Sequence, residues 1–310
     1  MPYLYISFVD RRPTHMQEYF DQFLHYYLKA SSDLIDKVLH PAWNNFFYWV
    51  VGLTLFFWLL ELIFPWRKQF PVFHKEFKLN VFYLFFLLFL FPIFFYTPIS
   101  YVGVTLLNKF LGLFHVKNLV SETVQSWPAW GRIIVVFLVI DFFKWFSHIL
   151  YHRIPFLWKF HKLHHSSETM GIGSGFRAHW MAVIIDGTAL YIPLTILGFG
   201  LQSFFIGGVI SIGIGTYSHS NIKTNIGVLK YIFNNPEMHL WHHARKKELP
   251  KGVHSVNYAN VLSLWDYLFG TAYIPYDGKD IQIGFDGLEN YPKTFIGQSI
   301  EPFIGKKKSQ

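Results

Sequence analysis

The 310-residue chain contains no cysteine, which removes disulfides, thiolate metal sites and a cysteine nucleophile together. Any metal it binds is therefore held by nitrogen and oxygen. Charge is also scarce: 15% of residues are Asp, Glu, Lys or Arg, against 52% hydrophobic. No Gly-rich nucleotide fingerprint occurs and no region is left for a fused haem domain, so electrons, if used, come from a separate molecule. The first forty residues mix Arg11, Arg12, Asp21 and Asp33 without an apolar core, and no cleavable signal peptide is expected. The formal charge of +8 suits an anionic membrane surface. Nucleic acid is excluded as a partner, because a soluble binder would not carry the apolar runs described next.

What is present is apolar and aromatic, with 35 Phe, 18 Tyr and 11 Trp. Residues 46–64 are apolar apart from Glu61, long enough to cross a bilayer at about 1.5 Å per residue. A second stretch, 81–107, exceeds one crossing, and Pro92 and Pro98 are placed to kink or end it. A third span is expected at 130–146. Apolar segments at 180–197 and 202–217 are joined by Gly198-Phe199-Gly200-Leu201, which reads as a tight helical hairpin. The expected fold class is all-α: an integral membrane protein with about four to five transmembrane helices and a cytosolic histidine-rich helical cap. Two of the crossings can instead form a half-inserted hairpin. The domain reading is a lead-in at 1–44, a transmembrane region at 45–128, a catalytic domain at 129–275 and a tail at 276–310.

Basic residues concentrate in the 65–78 link, the histidine loop and the tail, whereas residues 1–44 hold five acids against four bases. The 108–128 connector has only Lys109, Lys117 and Glu122. Five crossings with the amino terminus outside put every basic segment, and both histidine clusters, in the cytosol. The terminal Lys307-Lys308-Ser309-Gln310 reads as a dilysine retrieval signal or as an ordinary basic end. The membrane is then the endoplasmic reticulum in a eukaryote or the inner membrane in a bacterium.

Eleven of sixteen histidines fall between His148 and His254. Residues 148–165 read HILYHRIPFLWKFHKLHH, and His239-Leu240-Trp241-His242-His243 answers them downstream. On helices, residues three and four apart share a face. His148 with His152, His161 with His164 and His165, and His239 with His242 and His243 each turn two or three imidazoles to one point. A lone histidine is ordinarily structural or solvated. Eight in this pattern are read as a shared metal centre for two ions, about four rings to each. Soluble diiron bundles use Glu and Glu-x-x-His ligands, which are missing here. An all-imidazole shell is uncharged, so carboxylates are expected behind the rings. Asp141, Glu168 and Glu237 are the nearest in sequence. A metal site beside apolar helices points to a lipid substrate; zinc hydrolysis and redox attack on a C–H bond both stay open. Asp186, inside the fourth apolar segment, either lines a substrate tunnel or bonds a neighbouring helix.

Over residues 130–275 the chain resembles the membrane-bound fatty acid hydroxylase and sterol desaturase superfamily. The motifs are Asp141-Phe142-Phe143, HILYHRIPFLWKFHKLHHSSE, FRAHW, SHSN, NPEMHLWHHA and NYANVLSLWDYLFGT. The resemblance implies two irons bound by His148, His152, His161, His164, His165, His239, His242 and His243. It adds His219, in SHSN, as a ninth ligand, and His179, in FRAHW, as a supporting or structural residue. Ile149 stands where the first box commonly has Arg, and Ala259 where Gly is frequent. The Trp265 to Thr271 element is read as packing the cap against the membrane helices. His254 is unassigned, and His15, His25, His40, His74 and His115 are read as surface or interfacial. The implied activity is that of a membrane-bound non-haem diiron oxidoreductase. It uses dioxygen to hydroxylate or desaturate a C–H bond of a sterol, fatty acyl or alkylglycerol lipid. Its electrons come from a reductase, a haem carrier or a reduced pterin. The rival reading is a metal-binding membrane protein, transporter or inactive lipid sensor, without oxygenase activity.

Overall fold

The computed structural model describes residues 15–96, 126–196 and 202–304, with isolated positions between 102 and 113. The hairpin tip at 198–201, Pro98, His115 and the terminal lysines lie outside the described residues. Among the described residues there is no strand, only two isolated β-bridges. The helices are α1 (His15–Leu39), α2 (Phe46–Ile63), α3 (Phe77–Phe85), α4 (Ala129–Arg153), α5 (Pro155–His161) and α6 (Ile172–Gly175). They continue as α7 (Trp180–Ile196), α8 (Gln202–His219), α9 (Pro236–His242), α10 (Leu264–Leu268) and α11 (Phe295–Ile300).

Asn45 starts α2 by accepting the N–H of Phe47 at 3.1 Å, the role short polar side chains play at helix starts. The α3 helix continues in π geometry over Phe86–Leu90 and Pro92–Tyr96. Pro92 has no N–H, and its ring would clash with the carbonyl four residues back. The wider turn, in which the N–H of Phe91 bonds the carbonyl of Phe86, takes up the kink expected there.

Among the described residues, Phe46–Ile63, Phe77–Phe95 and Ala129–Arg153 are long and apolar enough to cross a membrane. The α7 helix has 17 residues and carries Asp186, and α8 is diluted by Gly207, Gly208, Gly213 and Gly215. Against the expected four to five crossings, three helices meet the length and polarity needed; α7, at 17 residues, is one residue shorter than α2, and α8 matches α2 in length but is less apolar. The architecture is that of an all-helical integral membrane protein.

Contacts at one end of the helices gather the cap. Glu61, buried near the end of α2, accepts the N–H of Asn221 at 2.9 Å and of Ile172 at 3.3 Å. Glu76, just before α3, pairs with buried Arg177, just before α7, at 3.0 Å. Glu168 bonds Lys75 at 2.6 Å and Lys293 at 3.4 Å, so the three basic segments share one surface, as their charge had suggested. Residues 276–304, expected as a tail, enter the cap core. Ile281 and Ile283 pack with Trp66, Leu240 and Trp241, and buried Arg67 donates to the carbonyls of Lys279 and Ile281, each at 2.9 Å.

Replacing Glu61 with Leu orphans two buried N–H groups, each costing about 1–3 kcal/mol. The unfolding temperature in detergent is expected to fall markedly for Glu61→Leu and less for Glu61→Gln, which keeps an acceptor.

Candidate metal centre

His148 and His152 sit one turn apart on α4 and project the same way. The helix stops at Ile154, which is extended because Pro155 follows it. Pro155 then opens α5. His161 ends α5, and His164 and His165 form a 3-10 turn. His219 is the last residue of α8. Asn235 caps α9 by accepting the N–H of Met238 at 3.0 Å, and the helix then carries His239 and His242, with His243 at its end.

These nine rings form two groups. His148, His152, His161, His165 and His242 make one, and His164, His219, His239 and His243 the other, with candidate ligand atoms in each group within 4.8 Å of one another. The spacing argument expected each box to serve one point. Instead, His161 and His165 join one group while His164 turns to the other, and His239 and His243 join the second while His242 turns to the first. At about 100° per residue, ring i+3 lies about 60° to one side of ring i and ring i+4 about 40° to the other. Each H-x2-HH box therefore straddles both groups.

The ring nitrogens fit a cation. The Nδ1 atoms of His148, His164, His219 and His242 lie 2.8, 3.2, 2.7 and 2.8 Å from the carbonyls of Tyr258, Arg177, Gly215 and Val256. A carbonyl only accepts, so each Nδ1 carries the proton and each Nε2 a lone pair. Yet Nε2 of His164 faces Nε2 of His219 at 3.2 Å, and Nε2 of His219 faces that of His239 at 2.9 Å. In the other group Nε2 of His148 and His161 are 3.0 Å apart. The Nε2 atoms of His152, His165 and His242 are buried without a hydrogen-bond partner. Lone pairs aimed at one another inside a protein call for a positive ion between them. Neutral imidazole donors, with no thiolate and no carboxylate in either group, suit iron, zinc or copper.

Burial, then neighbouring rings, holds His161, His164, His165, His239, His242 and His243 well below the ordinary imidazole range. They are neutral at pH 7 and ready to bind metal.

The carboxylates expected behind the rings lie elsewhere. Glu168 is spent on Lys75 and Lys293. Glu237 lies in the first turn of α9, 3.8 Å from Lys223, where a negative charge favours the helix start. Asp141 accepts the N–H groups of Val261 and Leu262 and the indole N–H of Trp265. His179 starts α7 by accepting the N–H of Met181, and its other nitrogen reaches the carbonyl of Ser299 at 2.8 Å. His254 is exposed, outside both groups.

Sequence reasoning missed the residues that hold the carbonyls. Asp266, buried in α10, accepts the N–H groups of Tyr258 and Ala259 and the indole of Trp145 on α4. Arg177, whose carbonyl meets His164, is fixed by Glu76 and by Ser166 Oγ at 2.8 Å. Asn257, with φ 55°, donates to the carbonyls of Met238 and Tyr273. A buried acid in the WDYLFGT motif was the available signal for Asp266; the other two had none.

Two outcomes follow. His165→Ala and His239→Ala each disable one group, so elemental analysis is expected to find about one metal fewer per chain in either variant. The folded protein depresses the proton affinity of these rings, so the unfolded chain is protonated first as pH falls. Metal retention and stability should hold above about pH 6.5, the ordinary imidazole value, and fall together in acid.

The family model for fatty acid hydroxylase matches residues 133–271. Ornithine lipid hydroxylase of Rhizobium tropici is 32% identical over 186 residues, 60% of this chain and 54% of that protein. Alkylglycerol monooxygenase of Homo sapiens is 29% identical over 163 residues, 51% of this chain and 33% of that one. Methylsterol monooxygenase 1-3 of Arabidopsis thaliana is 26% identical over 146 residues, 46% and 47% respectively. The chain thus spans about half, or less, of the length of these relatives. No solved structure matches it. All nine histidines of the two groups fall within residues 133–271, the stretch that matches the fatty acid hydroxylase family model.

Proposed function

We propose that the chain is a membrane-bound non-haem diiron oxidoreductase that hydroxylates a C–H bond of a lipid with dioxygen. The observation that carries this is the pair of neighbouring all-imidazole groups whose Nε2 lone pairs converge at one end of apolar helices. Two iron ions held there would supply the redox chemistry that an unactivated C–H bond requires and that zinc lacks. The balance is R–H, O2, two electrons and two protons giving R–OH and water. The relatives named above are named for hydroxylation or monooxygenation of an ornithine lipid, an alkylglycerol and a methylsterol, which favours hydroxylation over desaturation and a lipid as substrate.

The chain's own residues bind and orient. Val256, Tyr258, Arg177 and Gly215 take the Nδ1 protons and keep Nε2 free. No protein nucleophile is needed. The electrons come from a separate donor, a reductase, haem carrier or reduced pterin. The shared surface of the basic segments faces the cytosol by the positive-inside rule, in the endoplasmic reticulum of a eukaryote or the inner membrane of a bacterium. A transporter would hold its ligands at the bilayer midplane on broken helices, whereas these rings sit at helix ends and in the turns beyond them.

Iron-loaded protein in detergent, given a reductant, bacterial or microsomal lipid extract and 18O-labelled dioxygen, should yield a hydroxylated lipid bearing one labelled oxygen. Zinc-loaded protein and His239→Ala should yield none. Unlabelled product, or equal activity with zinc, would overturn the assignment.

A further inference from the structure

A cavity of about 310 Å³ lies between α2, α4, α6 and α8, and His219 is among its lining residues. From α8 it is lined by Gly208, Ser211, Ile212, Gly215, Thr216 and His219. Their spacing of three and one alternately defines a single helix face, and Gly208 to His219 covers about 16 Å at 1.5 Å per residue. The far end is apolar: Phe46 of α2 closes over Gly208, its Cε2 3.1 Å from where a Cβ would stand.

The end beside the metal groups is polar. Lys144 of α4 lines it, one turn before His148 on the face that also carries His152. Asp141 and Asp186 are the carboxylates that act on Lys144, but among the described residues neither pairs with it directly. Asp141 is spent on three donors, and Asp186 lies toward Tyr151 and Ser147 with its Oδ1 buried and without a hydrogen-bond partner. Thr216, 4% exposed, lines the same end, and its Oγ1 is buried with no hydrogen-bond partner. An ammonium with no direct ion pair and a buried hydroxyl with no hydrogen-bond partner, lining one end of the same cavity, point to a polar ligand group between them.

We infer that this cavity is the substrate channel, and that Lys144 and Thr216 hold the anionic group, carboxylate or phosphate, of a lipid whose alkyl chain runs toward Phe46. The oxidised carbon then lies within a few bonds of that group, next to His219, and not in the middle of the chain. Lys144 is the specificity-determining residue. The inference rests on the hydroxylase reading for its chemistry, but its anion site is separately measurable.

The probes are palmitate, hexadecyl phosphate and neutral hexadecanol, with binding to iron-loaded protein in detergent measured by calorimetry. Loss of a charge-assisted bond predicts about 10- to 100-fold weaker binding of the preferred anionic probe by Lys144→Met, with hexadecanol changed less than about twofold. Lys144→Arg should restore most of it. Thr216→Val, which leaves all charges in place, should weaken the same probe several-fold, so the inference stays testable should Lys144→Met fail to fold. Gly215→Val, which thrusts a branched side chain into the channel, should weaken all three probes. Which anionic probe binds better separates a carboxylate from a phosphate. Binding of neither anionic probe, or an anionic affinity unmoved by Lys144→Met and Thr216→Val, overturns the inference. An intact anion preference with no labelled product from any lipid would support the site and contradict the hydroxylase reading.

Discussion

Nine imidazole rings, five of them buried and four partly buried, must be held with their Nε2 lone pairs converging, some only 2.9–3.2 Å apart. Left free, such rings would rotate, share protons in hydrogen bonds, or charge and repel. Two things prevent this. Burial disfavours the charged imidazolium, and backbone carbonyls claim the Nδ1 protons of four rings. The remaining lone pairs then have one stabilising partner available to them, a metal cation.

The rest of the cap can be understood as the means of fixing those carbonyls. Val256 and Tyr258 lie in the loop between α9 and α10, which Asp141 and Asp266 fasten to the fourth helix through four backbone N–H groups and the indoles of Trp265 and Trp145. The carbonyl of Arg177 is placed by the buried pair with Glu76. A buried ion pair is weak evidence for stability, because desolvation offsets attraction. Its use here is positional. Glu61 performs the same service at the end of α2, joining a membrane helix to the segments on either side of the α7 and α8 pair. The membrane helices contribute rigid ends, two ligands from α4 and one from α8, and the cavity that leads to them.

Much of this was legible in the sequence. The H-x3-H and H-x2-HH spacings located eight of the rings, and the basic segments foretold which stretches would share a surface. His219 was reached only through family resemblance, because a histidine 55 residues from its ring partner His164 has no local periodicity to expose it. Division of each box between two groups was not legible from face sharing alone; it follows from the opposite angular offsets of positions i+3 and i+4. The partners of the rings were misplaced for a plainer reason. Carboxylates are visible in a sequence, whereas every residue has a carbonyl, so Glu168 and Glu237 stood out while Tyr258 and Val256 did not. The number of crossings was uncertain at α7 and α8, where glycines and Asp186 reduce the apolar signal without ending the helices.

The central claim is that two adjacent metal positions are built entirely by imidazole, five rings at one and four at the other. Anomalous diffraction at the iron absorption edge, on crystals of the iron-loaded protein, tests it most directly. The account predicts two iron peaks per chain, one among His148, His152, His161, His165 and His242 and one among His164, His219, His239 and His243. A single peak, or iron bound through Glu168 or Glu237, would contradict it.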